Sequence, residues 1–501
     1  MNLREVGHII GGLLMSVALA MLPSTALALR EDLVGGWLVS VAVAGGVGAL
    51  LWLLTPRDLQ INPREALAVV GLGWIAIVVA GALPFLTTGT TASLSAALFE
   101  SASGFTTTGA TIFPVMEDLP SSILLWRSLS HFMGGMGIIV LGVAILPLLG
   151  VGGAQLFRAE APGISTDRLQ PRIATTARLL WSVYVGLTGA LFVAYLVLGM
   201  SVFDAVNHAL STLATGGFST RTASMAAFSP AIQWATILFM ILAGVNFTLH
   251  YRMFSGNWQA PLRNPEWRWY IGSILTISLL SFVVLAMGDG MWSMAGMRRS
   301  LFNVVAIQST TGFVTADFAA WPSLLQALLL GLMFVGAMGG STGGGFKMVR
   351  GAVVAQHVFG EVKKVLHPRA VVVTRLGGRP IPERLVHNVL AFLALYMVTH
   401  AIGTVILAAM GSDLITALSA SLAAISSIGP GLASVGPLEN YAHFSPPALV
   451  TLSVLMLLGR LEFYTLLVLI IPGTWMRAGG GSAGPSVARI LARKGRMGIR
   501  K

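Results

Sequence analysis

The sequence predicts an all-α integral membrane protein: four pseudo-symmetric modules, each a helix, a half-length loop-forming segment and a second helix, preceded by two N-terminal transmembrane helices. Three observations carry this expectation. The composition is too apolar for a water-facing surface, long windows lack charge, and a Ser/Thr/Gly-rich segment recurs about every hundred residues. Of 501 residues, 55% are hydrophobic, only 10% are charged, and 58 are glycine. A soluble domain carries roughly 25% charged residues. Asp, Glu, Lys and Arg are absent from 6–29, 33–56, 66–99, 128–157, 179–203, 222–251, 269–288, 318–346 and 385–412. Each window is near or above the ~20 residues that a helix needs to cross hydrocarbon. Surface amphipathic helices would interrupt such runs with charge, and a transmembrane barrel would show short alternating segments.

The first two helices are expected at about 8–29 and 36–55. Residues 1–30, with Arg4 before an apolar run and Ala26-Leu27-Ala28 after it, could also form a cleaved signal peptide. The run exceeds the 7–15 residues usual there, which favours an uncleaved helix. The chain then divides into the N-terminal pair (1–60), four modules (61–155, 156–262, 263–365 and 366–476) and a basic tail (477–501).

Charge sets the orientation. The loops 55–65, 157–178, 252–268 and 347–384, with Arg4 and the tail, hold 25 of the 31 basic residues. The positive-inside rule places these segments, and both termini, in the cytoplasm. The net charge of +12 is therefore mainly a topology signal, and nucleic-acid binding is not expected. Segments on the other side contain Glu31, Asp32, Glu117, Asp118, Asp289, Asp317 and Glu439, a face that attracts cations. The chain has no cysteine, which removes disulfides, thiolate metal sites and cysteine nucleophiles.

The recurring half-length segments are 96–111, 203–220, 302–315 and 414–432. Aligned on one glycine each, their cores read Thr107-Thr108-Gly109, Ala214-Thr215-Gly216, Thr310-Thr311-Gly312 and Ser427-Ile428-Gly429, with the glycines 107, 96 and 117 residues apart. Cytoplasmic loops flank every unit, so each middle segment must enter the membrane from the far side and return, giving ten spans in all. Non-helical backbone at that depth survives only where it lines a cavity or is buried in protein. Four such segments therefore require a common cavity.

A ring of four backbone strips offers carbonyl oxygens in place of a monovalent cation's water, an arrangement suited to potassium. Glycine turns successive carbonyls to one side without a Cβ penalty. The half-helix before each strip directs its negative dipole end at the centre, with Ser95, Asp204, Ser300 and Asp413 expected at its N-terminus. A single strip would read as a small-residue packing surface; four in register favour the common site.

The strips, together with residues 126–141 (from Trp126 through His131 and Gly134-Gly135 to Leu141), 152–162, Gly339-Gly340-Ser341-Thr342-Gly343-Gly344-Gly345-Phe346-Lys347 and Leu458-Gly459-Arg460-Leu461-Glu462, resemble the TrkH/KtrB superfamily of potassium transporters. The resemblance runs to about residue 476. It implies four pore-loop modules around a pseudo-fourfold pore and potassium uptake across the bacterial inner membrane. It also implies a homodimer seated on a cytosolic ring of TrkA-like nucleotide-binding regulatory subunits. Nucleotide would lie on that partner, with K+ as the transported ion and no organic cofactor on this chain. By the same resemblance, the potassium-binding positions are Thr107, Thr108, Ala214, Thr215, Thr310, Thr311, Ser427 and Ile428, before the filter glycines Gly109, Gly216, Gly312 and Gly429. Sodium-preferring plant relatives can carry Ser at the first of these glycines, so Gly109 argues for potassium. Where the family commonly has Asn before the fourth strip's apolar residue, this chain has Ser426-Ser427, a change that touches the fourth strip's side-chain support.

Two intramembrane features are gate candidates. Residues 325–358 form the third module's second helix, yet Gly340, Ser341, Thr342, Gly343, Gly344 and Gly345 lie in its middle. Each glycine costs a helix about 1 kcal/mol against Ala, so a loop is expected there, in the pore below the strips. It fails as a phosphate loop, because Phe346 precedes Lys347 and no Ser or Thr follows it. Lys347 alone reads as an interfacial anchor. Arg460, near the centre of a final helix at roughly 446–475, must face protein or water and is expected to contact the glycine loop. Glu462, two residues on, is a poor partner for it.

His131, His208 and His400 lack metal-ligand spacing and read as packing residues. The alternative function is proton- or sodium-coupled symport, which would draw on Glu100 or Glu462. No convergent catalytic constellation indicates an enzyme, and no helix has the spaced arginines of a voltage sensor.

Overall fold

A computed structural model of the chain describes residues 3–55, 63–144, 169–290 and 292–470. The 152–162 stretch and the basic tail 477–501 lie outside the described residues. Among the described residues the regular structure is helical apart from a minimal hairpin, β1 (Arg375–Leu376) paired antiparallel with β2 (Arg379–Pro380).

Helices α1 (Leu3–Ala28) and α2 (Val34–Leu53) form an antiparallel pair at the start of the chain. They meet where both backbones are bare: a Cβ on Gly11 would lie 2.6 Å from the Gly48 oxygen, and one on Gly48 would lie 2.9 Å from the Gly11 oxygen. Small residues at a membrane helix contact permit this approach.

Four modules follow. The first contains α3 (Pro63–Thr87), half-helix α4 (Leu94–Phe105) and α5 (Ser121–Ala144). The second contains α6 (Leu169–Val197), half-helix α7 (Val202–Leu213), α8 (Pro230–Gly244) and α9 (Phe247–Phe254). After the short α10 (Ala260–Arg263) comes the third, with α11 (Pro265–Asp289), half-helix α12 (Met294–Gln308), α13 (Ser323–Val335) and α14 (Met348–Leu366). The fourth contains α15 (Glu383–Ala409), half-helix α16 (Leu414–Ser426), α17 (Pro446–Arg460) and α18 (Tyr464–Ile470).

Among the described residues the leading helix of each module is continuous, whereas three of the four returning helices are interrupted. Module 2 bends by 102° between α8 and α9, where the Asn246 side chain caps α9 by accepting from the Thr248 amide at 2.8 Å. Module 3 opens into the loop 336–347, as its glycines predict. Module 4 breaks after Arg460, with Glu462 and Phe463 at φ of +56° and +55°. The expected continuous final helix is therefore corrected to two pieces, with Arg460 in the last turn of α17.

Three expected half-helix caps are also corrected. Ser93, Ser201 and Ser293 accept from the Ala96, Asp204 and Gly296 amides, while Ser95, Asp204 and Ser300 lie inside the helices. Asp413 does cap α16, accepting from Ile415 and Thr416. The third half-helix starts earlier than the sequence pattern suggested, which moves Ser300 into its interior.

Two buried arginines, Arg127 and Arg350, are paired with carboxylates. On α4, Glu100 accepts from Arg127 Nε at 2.7 Å and from the Ile112 amide at 3.1 Å. Arg127 also lies over the Phe218 ring, 3.9 Å from its centroid. Arg350, counted among the cytoplasmic basic residues by sequence, is instead buried, 2.7 Å from Glu462 and 4.1 Å from the Phe392 centroid. Removing one partner of a buried pair leaves an uncompensated charge. Arg127→Met should therefore lower stability by about 3–5 kcal/mol, and Glu100→Gln in the same chain should recover most of the loss. Thermal unfolding of the purified protein in detergent tests both.

Candidate functional site

All four half-helices end in the same hydrogen-bonded turn. The amides of Thr107, Thr215, Thr310 and Ser427 donate three residues back, to Gly104, Thr212, Ile307 and Ala424. The next amides, of Thr108, Gly216, Thr311 and Ile428, donate five residues back, to Ser103, Ser211, Ala306 and Ala423. This is the Schellman pattern of helix ends, whose left-handed residue is usually glycine. Here that residue is Thr107 (φ +55°), Thr215 (+56°), Thr310 (+60°) or Ser427 (+55°).

Two residues further on, the backbone is left-handed again at Gly109, Gly217, Gly312 and Gly429. The second strip's register is therefore corrected. Gly217, rather than Gly216, matches the other glycines, and Ala214 falls one place before the left-handed turn. The sequence contains two adjacent glycines there, and only the turn's hydrogen bonds separate them.

The strips close into a ring. A Cβ on Gly109 would collide with the Gly216 carbonyl oxygen, one on Gly217 with that of Thr311, and one on Gly312 with that of Ile428. A Cβ on Gly429 would lie 2.7 Å from the Thr108 oxygen. Each strip thus lays its glycine against the carbonyl of the next, and the fourth returns to the first. The four glycines line a cavity of about 100 Å³.

The outer legs are tied across module boundaries. Thr222 donates its amide and hydroxyl to Glu117, and the Met116 amide donates to the Thr222 hydroxyl at 2.9 Å. Partial burial pushes the Glu117 carboxyl up, but the Thr222 hydrogen bonds and nearby Arg221 outweigh it and leave it below the usual range. The carboxylate form is therefore present above the ordinary carboxylate range and is lost only on stronger acidification. The Val314 amide donates to the Ser224 hydroxyl at 3.2 Å, and the Tyr441 amide donates to the Thr111 carbonyl at 2.8 Å.

Loop 336–347 lies against the opposite end of the ring. Its Gly344 amide donates to the Thr310 hydroxyl at 2.7 Å, and a Cβ on Gly344 would collide with the Ser426 carbonyl. The Thr342 hydroxyl donates to the Leu213 carbonyl at 2.9 Å, so the loop touches the ends of the second, third and fourth half-helices. Arg460, 3% exposed, donates from Nη1 to the Thr342 carbonyl at 2.7 Å. Lys347 folds back to donate to the Gly343 carbonyl, a loop contact in place of the interfacial anchor that its sequence position suggested. Gly340, Ser341, Gly343, Gly344, Gly345, Lys347 and Arg460 line one small cavity there.

Sequence reading missed Glu266, whose Oε1 accepts from the Gly339 amide at 2.7 Å and the Val349 amide at 3.0 Å. It sat in a segment read as a cytoplasmic loop. His131 does pack, as expected: its Nδ1 is 3.0 Å from the Ser211 hydroxyl and its ring stacks on Phe218 at 4.0 Å.

Four helix, half-helix and strip units closing one ring inside a membrane define a pore-loop transport protein. A family model described as "TrkH: Cation transport protein" matches residues 38–474. The "Trk system potassium uptake protein TrkH" of Salmonella typhimurium strain LT2 is 39% identical over 95% of this chain and 100% of its own length. The protein of that name from Escherichia coli K12 is 38% identical over the same shares. The crystal structure of the potassium transporter TrkH from Vibrio parahaemolyticus superposes with a TM-score of 0.87 at 37% identity, covering 95% of this chain and all of that one. The chain belongs to the TrkH family of cation transport proteins.

The ring yields a direct test. Gly312→Ala combines a φ of +73° with a collision against the Ile428 carbonyl and should abolish cation flux in proteoliposomes. Gly272→Ala, on α11 with open space around it, should leave flux intact. Wild-type flux from Gly312→Ala would show that the strips do not form the conducting route.

Proposed function

We propose that this protein carries potassium inward across the bacterial inner membrane through the four-strip ring, with both termini in the cytoplasm. The observation that carries the reading is the closed ring in which each glycine abuts the next strip's carbonyl, because backbone oxygens can stand in for the water around a monovalent cation. The named relatives are potassium uptake proteins and a potassium transporter, which supports potassium as the ion. In the corrected register, the ligand positions are Thr107, Thr108, Thr215, Gly216, Thr310, Thr311, Ser427 and Ile428. The Thr107 and Ser427 hydroxyls are buried without a hydrogen-bond partner among the described residues, consistent with oxygens kept for an ion.

Loop 336–347 is the gate in this reading. It is held beneath the ring by Thr310 and Arg460, and Arg460 adds a positive charge that opposes cation passage. A homodimer on a TrkA-like ring, with nucleotide on that partner, would move the loop from the cytoplasmic side. Channel-like conduction is favoured over proton or sodium symport, because Glu100 and Glu462, the carboxylates considered for coupling, are each paired with an arginine.

Rubidium uptake into proteoliposomes, with and without the nucleotide-loaded partner and with imposed sodium or proton gradients, tests the whole reading. Uptake that requires a sodium or proton gradient would favour symport. Arg460→Gln should raise partner-independent uptake several-fold and blunt the nucleotide response; unchanged flux and regulation would remove Arg460 from the gate. Gly109→Ser meets a positive φ, as at Gly312, and a collision with the Gly216 carbonyl, so it should likewise abolish rubidium uptake.

A further inference from the structure

The fourth strip is built differently from the first and third. In strip 1 the Thr108 hydroxyl pairs with that of Thr106 at 2.8 Å, and in strip 3 Thr311 pairs with Ser309 at 2.7 Å. Strip 4 has Ile428 at this place, so the internal hydroxyl pair is absent, and Ser426 pairs instead with the Tyr396 hydroxyl at 2.6 Å. The seam from strip 4 back to strip 1 is also the widest of the four by the Cβ contacts of the ring glycines.

Tyr441 spans that seam. Its buried ring lies 5.3 Å from Phe99 of the first half-helix and 5.6 Å from Phe444, centroid to centroid. Its hydroxyl donates to the carbonyl oxygen of Gly429 at 2.7 Å, and its amide donates to the carbonyl of Thr111 on the outer leg of strip 1 at 2.8 Å. Thr111 is itself fixed, since its hydroxyl donates to Glu100 at 3.0 Å. One residue thus grips the ring glycine of strip 4 and the leg of strip 1, across the place where the ring is least tightly packed. Among the described residues, no other side-chain hydroxyl is bonded to a carbonyl of the four ring glycines.

We propose that Tyr441 is a specificity-determining positioning residue, a clamp that sets the spacing between strips 4 and 1 and so keeps the ring from contracting around an ion smaller than potassium. The proposal rests on the reading of the ring as a potassium filter. Selectivity there depends on how many carbonyls reach the ion and how firmly they are held, and the clamp supplies the firmness that Ile428 cannot.

Tyr441→Phe keeps the ring packing and deletes only the hydroxyl. In proteoliposomes it should lower the ratio of rubidium to sodium flux about fivefold, the equivalent of one hydrogen bond, and weaken the apparent affinity for rubidium while leaving maximal flux near wild type. Tyr195→Phe deletes another buried tyrosine hydroxyl, which bonds Thr212 and Thr236 rather than a ring carbonyl, and should leave the ratio unchanged. An unchanged ratio in Tyr441→Phe, or an equal fall in Tyr195→Phe, overturns the clamp. A wild type that carries neither rubidium nor potassium overturns the filter reading itself, an outcome distinct from either.

Discussion

The contact on which the structure depends is a glycine of one strip laid against a carbonyl of the next. It needs two properties at once: a backbone at positive φ, and nothing where a Cβ would stand. No single strip can satisfy its backbone alone at membrane depth, where unpaired polar groups are costly. Four strips can, if each supplies a surface for its neighbour and the last returns to the first. The rest of the fold serves that closure. Gly134 on α5 and Gly459 on α17 give the same freedom behind the ring, each letting a returning helix press against the carbonyl at the end of its half-helix, Phe105 in one module and Ile425 in the other.

The Schellman turns explain how a half-helix becomes a strip. Each turn leaves the helix's last carbonyls at the negative end of the dipole and places a left-handed residue immediately after them. Glycine would adopt that conformation freely. Threonine and serine stand there instead, although a β-branched residue at positive φ is a genuine outlier and such strain costs on the order of 1–3 kcal/mol. What threonine or serine gains over glycine is a hydroxyl at the base of the ring. In strip 3 that hydroxyl already has a use, since it accepts from the Gly344 amide. Strain repeated at four equivalent positions is held by the same pair of hydrogen bonds each time.

Much of this was legible in the sequence. Charge-free windows located the helices, because water-soluble surfaces cannot lack charge over such lengths, and five glycines among the seven residues 339–345 announced the loop in module 3. The features that escaped were set by three-dimensional contacts. Gly216 and Gly217 are indistinguishable by composition, and only the amide bonds to Ser211 and Thr212 fix the register. Arg350 lay in a stretch dense in Lys and Arg, so its burial against Glu462 could not be told from its neighbours' exposure. The break after Arg460 has no proline to mark it; it arises from two non-glycine residues at positive φ, Glu462 and Phe463. Ser95, Asp204 and Ser300 were reasonable capping types placed two, three and seven residues late, since half-helix starts follow no periodic signal.

One chain carrying four modules can do what four identical chains cannot, which is to make its quadrants unequal. Loop 336–347 belongs to module 3 alone, yet it bonds the end of the second half-helix through Thr342 and the third strip through Gly344, and packs on the fourth at Ser426. The same Thr342 carbonyl receives Arg460 from module 4. Glu266 holds the loop's first turn and the start of α14 with a single oxygen. The loop is therefore not a plug resting in a symmetric well; it is a shared structural member whose removal would break bonds to three of the four quadrants. Any displacement of loop 336–347 must exchange the Gly344–Thr310 and Arg460–Thr342 hydrogen bonds for other partners, and at this depth those partners have to come from the protein or from water.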